Sequence, residues 1–282
     1  MNNIKEFETE KLKKISLINK KIPQHLAVIM DGNGRWAQSR GFSRNVGHEY
    51  GVKALKRLIK QCIHLQLKNL TVFAFSSENW SRPKNEVSFL MSLFKKAIKK
   101  ELNDLIANNV RLKIIGNKSG LSKKLQNLIN DAENLTQNNF LLNLNIGINY
   151  GGKWDIINGV KTLLKNRPDL INTPDLISEK EFSDLLSLSE LPEPDLLIRT
   201  GGERRLSNFL LWKLAYTELF FTDTLWPDFN SIDLVRSINY FSSRQRKFGG
   251  AIDINLSKKN IPKKEILDSE KITLSYGFKE DA

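Results

Sequence analysis

Cysteine is almost missing from this chain: Cys62 stands alone among 282 residues. A single cysteine permits no internal disulfide and no cysteine-rich metal site, which points to a reducing compartment, the cytoplasm. Cys62 itself reads as a packed thiol on a helix. No window approaches the ~20 apolar residues of a membrane span. Residues 1–24 are polar and lysine-rich, without an apolar stretch of signal-peptide length. A soluble protein is expected, and any membrane contact would be peripheral or through a lipid substrate. Neither GxGxxG nor GxxxxGK[ST] occurs, so the common nucleotide fingerprints are absent. No internal repeat is present. Acidic residues are in deficit: 31 Asp and Glu stand against 44 Lys and Arg, a formal net charge of +13. Such an excess suits nucleic acid, an anionic membrane or a phosphorylated substrate, or serves solubility alone.

What is present is concentrated in His25–Trp36, HLAVIMDGNGRW. The apolar run Leu26–Met30 reads as a buried strand, and it stops at Asp31. Downstream, strands are expected at Asn69–Phe75, Arg111–Ile115, Leu141–Ile148 and Asp195–Ile198, with a sixth near Thr217–Phe221. Helical periodicity predicts helices at Tyr50–Leu65, Glu86–Asn108, Leu121–Thr136, Lys153–Lys165, Ser178–Leu188, Asn208–Phe221 and Ile232–Arg244. The segments Ser76–Pro83 and Thr200–Ser207 read as polar loops. Short apolar strands alternating with helices predict an α/β fold, a mostly parallel sheet covered on both faces. With 40% hydrophobic residues the chain can build one large domain, expected over residues 24–250. Residues 1–23 would form an N-terminal arm, helical or frayed over Met1–Lys21. Residues 251–282 would form a tail with equal numbers of lysines and acidic residues, so the basic excess belongs to the body.

In an open parallel sheet, ligands bind outside the carboxyl ends of the strands. Three expected strands end in polar clusters: Asp31–Arg35, Ser76–Arg82 and Arg199–Ser207. Asp31 could bind Mg²⁺ or cap the following helix. Gly32 and Gly34 let backbone N–H groups approach a ligand, and a helix starting near Gly34 would favour phosphate. Arg35 could grip phosphate oxygens in a fork. Arg40, Arg44 and His48 extend the basic set, with Arg44 and His48 on one helical face. For His48, hydrogen bonding to phosphate stands against a plain surface position, and no second histidine lies at metal-ligand spacing. Ser76, Ser77 and Asn79 offer neutral contacts, Trp80 an apolar wall and Arg82 a cation; the alternative is a solvated loop. Arg199, Arg205 and Ser207 around two glycines would suit a diphosphate, against salt bridging as the plain reading. Glu218, in an otherwise apolar segment, needs a partner: a cation shared with Asp31, or an arginine.

Taken in order, HLAVIMDGNGRWA, FAFSSENWSRP, RLKIIG, LNIGINYGGKWDI, DLLIRTGGERRLSNFLLWKLAYTELFFTDTLWPDF and RQRKFGG resemble the signature blocks of the cis-prenyltransferases, of the bacterial undecaprenyl diphosphate synthase type. The resemblance covers roughly residues 24–250. It implies a single α/β domain with a six-stranded, mainly parallel sheet, helices around it and an apolar tunnel. It implies repeated condensation of isopentenyl diphosphate onto an allylic diphosphate, farnesyl diphosphate, with Mg²⁺, by a homodimer that binds no nucleic acid. The product would be a Z-polyprenyl diphosphate of medium length, roughly eleven isoprene units, the precursor of a cell-wall lipid carrier, made at the inner face of the membrane.

By position, the resemblance makes Asp31 the magnesium and diphosphate aspartate. It assigns Gly32, Asn33, Gly34, Arg35, Arg44 and His48 to the allylic diphosphate pocket, with Trp36 beside them. Ser76, Ser77, Glu78, Asn79, Trp80 and Arg82 match a loop over the substrates. Arg199, Arg205, Leu206 and Ser207 match the isopentenyl diphosphate site. Glu218 matches a second magnesium contact, with a reach across the dimer as one route; Arg246 and Gly249–Gly250 match a segment reaching the partner's site. Asn79 is catalytic on this reading, but a neutral amide is a poor base, so it orients groups while a phosphate oxygen or Asp31 takes the proton. Leu142, Ile148 and Ala74 are candidates for the tunnel lining. Three competing readings are a non-catalytic partner subunit, a nucleic-acid binder and a phosphatase. The first should lack catalytic residues that this chain retains. The second lacks any recognised motif. The third wants a further carboxylate in the first loop, where position 33 is Asn.

Overall fold

The computed structural model describes residues 20–244, so the arm 1–23 (all but its last four residues), the tail 251–282, Arg246 and Gly249–Gly250 lie outside the described residues. The six strands among the described residues are β1 (His25–Ile29), β2 (Asn69–Ser76), β3 (Val110–Ile115), β4 (Leu142–Tyr150), β5 (Leu196–Arg199) and β6 (Glu218–Phe221). They form one sheet in the order β3-β4-β2-β1-β5-β6. Every pairing is parallel, with Ile29 of β1 opposite Phe73 on one side and Arg199 on the other. All five residues of β1 are buried, as an apolar run covered on both faces requires.

The principal helices are α1 (Asn33–Gln38), α2 (Arg44–His64), α3 (Lys84–Ala107), α4 (Lys123–Thr136), α5 (Gly152–Asn166), α6 (Glu179–Ser183) and α7 (Ser231–Ser243). β1 is flanked by β2 and by β5, so the chain leaves it in one direction and returns on the other side. The crevice beyond its carboxyl end is the switch point of the sheet. The larger core cluster joins β1–β5 to α2, α3, α4 and α7, while Ala27, Ile29, Tyr150, Leu197 and Phe209 anchor a second cluster on the opposite face.

Three helix expectations need correction. The helix predicted from Tyr50 begins six residues earlier, at Arg44. Its first turns carry little apolar periodicity because they pack against α1 through glycine. A Cβ on Gly47 would lie 2.0 Å from the carbonyl oxygen of Asn33. The second is Asn208–Phe221, which forms no helix. Ser207, Asn208 and Leu210 adopt positive φ angles of 48°, 64° and 42°, turns follow, and β6 takes up Glu218–Phe221. The apolar content of this segment reflects burial of Phe209, Leu210 and Leu214 beneath the sheet edge, not a helical stripe. Ser178–Leu188 is helical only over Glu179–Ser183, where Ser178 Oγ accepts from the Glu181 N–H as a cap. Cys62 is fully buried, and burial pushes its thiol pKa up, as a packed thiol should behave.

Candidate active site

Parallel pairing brings the ends of β1, β2 and β5 to one edge, so the three polar clusters meet there as expected. Asp31 follows β1 and is locked through its backbone. Its N–H donates to Ile29 O and to Thr200 Oγ1, both at 3.0 Å. Its carbonyl accepts from Thr200 Oγ1 at 2.7 Å and from Trp226 N–H at 3.0 Å. This fixes the carboxylate between two guanidinium groups. Arg35 Nη2 lies 3.2 Å from Oδ1, and Arg199 Nη2 donates to Oδ2 at 3.0 Å. Arg35 also donates to Gly201 O at 2.6 Å. Gly201 adopts φ +84°, and a Cβ there would sit 2.6 Å from Arg35 Nη2. The loop therefore needs glycine to receive the arginine.

Arg199 is 4% exposed and spans two loops. Its Nη1 donates to Ser207 Oγ at 2.7 Å and to Arg205 O, while its buried Nε has no partner. Arg205 is exposed and paired with Glu203. Leu206 packs against the second core cluster. Gly32 precedes α1 as its cap, and Gly34 lies against the Arg44 guanidinium, where a Cβ would come within 2.8 Å of Arg44 Cζ.

A second basic group converges on Glu86, in the first turn of α3. Arg82 Nη1 lies 3.1 Å from its Oε1, Arg44 Nε 3.4 Å from Oε2, and His48 Nε2 3.5 Å from Oε1. Burial disfavours the Glu86 charge, but Arg44 and Arg82 outweigh it and hold the pKa below the usual carboxylate value. Burial, then Arg82, push the His48 pKa below its usual value, so His48 is neutral near pH 7. A neutral imidazole forms no ion pair, and His48 Nε2 is a buried atom without a hydrogen-bond partner; so is Asn33 Oδ1. Both residues line the mouth of a cleft. Orphaned polar atoms of this kind mark where a ligand's groups would fit.

The cleft runs between α2, α3 and strands β2–β4, with about 1190 Å³ of empty space that includes its open mouth. Val52, Leu55, Leu90, Phe94, Leu144 and Ile146 are among its walls. Ala74 and Ile148 line it as expected. Leu142 does not; it is fully buried and pairs with Val110, which does line the cleft at the end far from Asp31.

The Ser76–Pro83 segment is not a plain loop: Ser77–Ser81 is a 3-10 turn. Ser76 and Asn79 form a capping box, in which Asn79 Oδ1 accepts from Ser76 N–H at 3.1 Å. Asn79 thus holds the turn. Trp80 stands 42% exposed, edge-on to Phe75, and its Nε1–H donates to Asn149 Oδ1 at 2.7 Å. Glu78 accepts from Asn208 Nδ2 at 2.7 Å, tying this turn to the loop after β5. Ser77 Oγ lies at Gly151, where an added Cβ would come within 2.5 Å of it.

Not every predicted residue joins the site. Trp36 is buried beneath it, donating to Asp228 Oδ1 at 2.6 Å and packing on Tyr50. Arg40 stacks over Trp36 and pairs with Asp228, away from the basic set. Glu218 opens β6 opposite Leu196, at the amino edge of the sheet, while Arg199 at the far end of β5 is the residue beside Asp31. Within one chain Glu218 and Asp31 share no cation; Glu218 has Arg244, with Nε 3.8 Å from Oε2. Glu86, Thr200 and Asn208 were missed from the sequence. Glu86 lies four residues after Arg82, an available signal, but inside a helix it reads as an ordinary first-turn acid.

Among the described residues no group of three or more His, Cys, Asp or Glu could hold a metal ion, so any cation at Asp31 would draw most of its ligands from elsewhere. No helix among them is long and apolar enough to cross a membrane.

Comparison with known proteins agrees with this geometry. A prenyltransferase family model, described as "Putative undecaprenyl diphosphate synthase", matches residues 29–249. The chain is 51% identical over 232 residues to a farnesyl-diphosphate-specific ditrans,polycis-undecaprenyl-diphosphate synthase of Legionella pneumophila, covering 82% of this chain and 98% of that one. It is 52% identical over 238 residues to the synthase of the same description from Wigglesworthia glossinidia brevipalpis, covering 84% and 91%. Among solved structures, lavandulyl diphosphate synthase from Lavandula x intermedia, in complex with dimethylallyl diphosphate, superposes with a TM-score of 0.77 at 38% identity, covering 81% of this chain and 98% of that one. A Campylobacter jejuni protein described as a "probable undecaprenyl diphosphate synthase" gives 0.67 at 34% identity, covering 81% and 99%.

Proposed function

Because this chain belongs to the undecaprenyl diphosphate synthase family of prenyltransferases, we propose that it condenses isopentenyl diphosphate repeatedly onto farnesyl diphosphate to give undecaprenyl diphosphate. The observation that carries the reading is the junction of an arginine-rich strand edge with an apolar cleft: anionic head and apolar tail each have a matching surface.

The allylic diphosphate would sit over Asp31, Arg35, Arg44 and His48, with its tail entering the cleft past Asn33 and Met30. Isopentenyl diphosphate would sit over Arg199, Arg205 and Ser207. Allylic C–O cleavage puts charge on the departing diphosphate, and positioned guanidinium and N–H donors stabilise that charge. The isopentenyl double bond attacks the allylic carbon, and a proton is lost. Asn79, engaged with Ser76, is a positioning group; a diphosphate oxygen or Asp31 is the better proton acceptor. Each new unit pushes the tail deeper between α2 and α3, and the cleft floor ends growth.

The donor set suits Mg²⁺, which typically takes one or two carboxylates plus substrate phosphates and water. Asp31 is that carboxylate. Mg²⁺ bound there would neutralise diphosphate charge and aid its departure. We further propose a homodimer working in the cytoplasm, at the inner face of the membrane that receives the product. Glu218 would then serve a metal only from the partner subunit, since its own chain places it at the other edge of the sheet. The test is incubation with farnesyl diphosphate, labelled isopentenyl diphosphate and Mg²⁺, followed by sizing of the lipids. A ladder ending near eleven isoprene units supports the reading; absence of any elongated product overturns it.

A further inference from the structure

Among the exposed apolar side chains, four gather at one end of the sheet. Ile106, Leu135, Phe140 and Leu141 are 38%, 60%, 73% and 41% exposed. Ile106 and Leu135 lie in the last turns of α3 and α4, and Phe140–Leu141 leads into β4. Hydrogen bonds join these segments. The Leu141 N–H donates to Asn109 O at 3.0 Å, the Asn139 N–H to Thr136 O at 3.0 Å, and Asn139 Nδ2 to Val110 O at 2.9 Å.

This end lies where the strands begin, opposite the diphosphate edge. The lining of the cleft reaches this end through Leu105, Asn108 and Val110. Val110, which lines the cleft, pairs with Leu142, the residue after the exposed Leu141, so lining and patch meet on neighbouring positions of the β3–β4 pair. The rim is basic. The Asn143 N–H donates to Lys68 O at 2.9 Å, which puts Lys68 beside the entry to β4. Lys68 and Arg111 are exposed, and neither has an ion pair among the described residues. Of the nearby acids, Asp104 is held by Lys56 at 2.6 Å, and Asp131 lies one turn before Leu135.

We propose that this end docks on an anionic lipid bilayer, with Ile106, Leu135, Phe140 and Leu141 entering the acyl boundary and Lys68 and Arg111 meeting the headgroups. A patch of large apolar residues rimmed by cations is what interfacial binding uses. A bilayer supplies the negative charge that a second copy of the same basic rim does not. The proposal rests on the cleft holding the growing chain. It then gives the fold two working ends: charged substrates meet at one, and the far end of the lipid stops next to a membrane at the other.

The test is co-sedimentation of the full-length protein with vesicles of phosphatidylglycerol and phosphatidylcholine, against phosphatidylcholine alone. The wild type should bind the anionic vesicles. Phe140→Glu/Leu141→Glu and Lys68→Glu/Arg111→Glu should each bind at least tenfold more weakly and elongate farnesyl diphosphate normally in detergent. Phe140→Trp, which keeps the patch apolar, should bind and shift its emission to the blue on binding. Equal vesicle binding by wild type and the Glu variants, or no emission shift, overturns the proposal. So does conversion of a dimer to a monomer by the Glu variants with vesicle binding intact, since the patch would then be an interface between copies. A wild type that binds vesicles but elongates nothing would refute the catalytic reading while leaving docking in place.

Discussion

Replacing Arg199 by Lys keeps the charge and most of the length, yet it should cripple the site. The guanidinium reaches Asp31 Oδ2 through Nη2 at 3.0 Å and Ser207 Oγ through Nη1 at 2.7 Å. It thereby connects the ends of β1 and β5 with the following loop in one rigid fork. A lysine ammonium is a single point and cannot hold both partners in that geometry. A hydrogen bond to a charged group is worth about 1.5–3 kcal/mol. At 1.36 kcal/mol per tenfold, losing one in the transition state corresponds to roughly a tenfold to hundredfold fall in kcat/KM for isopentenyl diphosphate. Steady-state kinetics at saturating farnesyl diphosphate, with urea unfolding in parallel, separates loss of the site from loss of the fold. A Lys variant within twofold of wild type would refute the idea that the fork is what matters.

Leu142→Ala should deepen the cleft beneath Val110 and lengthen the products, while costing about 2–5 kcal/mol of stability as a large-to-small core change. An unchanged product profile removes Leu142 from the floor. Gly201→Ala places a Cβ against Arg35 at a positive φ, so activity should drop at least tenfold in the condensation assay with the far-UV spectrum retained. His25 is buried with its pKa lowered to about 4, chiefly by desolvation. A depressed histidine pKa means the unfolded state takes up the proton first. Stability from His25 is therefore full above about pH 6.5 and is lost progressively as pH falls toward 4, by roughly 3 kcal/mol in total. Urea unfolding of His25→Asn should show a shallower loss of stability between pH 7 and pH 4.5 than wild type; parallel curves would contradict this.

The strands were legible because parallel strands buried on both faces must be short apolar runs, and β1, β2 and β5 are. Once those were placed, the convergence of Asp31, Asn79 and Arg199 on one edge followed from parallel topology. What the pattern concealed lies in long-range partners. Asn208–Phe221 has a helix's composition, but its backbone is turned left-handed at Asn208 and Leu210, directly after a third such residue at Ser207. There Asn208 is held by Glu78 and by the Lys153 N–H, residues far away in the chain. Thr200 reads as a loop residue until its hydroxyl is found bonded to both backbone groups of Asp31. Glu86 becomes a hub only when α2 brings Arg44 and His48 to it.

The central claim is that Asp31 anchors a diphosphate site at the mouth of a lipid cleft, and Asp31→Ala tests it most directly. Purified wild type and variant would be given farnesyl diphosphate, labelled isopentenyl diphosphate and Mg²⁺, and the extracted lipids sized by chromatography. The expected result is a polyprenyl ladder from the wild type and no elongated product from an Asp31→Ala protein that unfolds cooperatively in urea. Near-normal elongation by that variant would contradict the account.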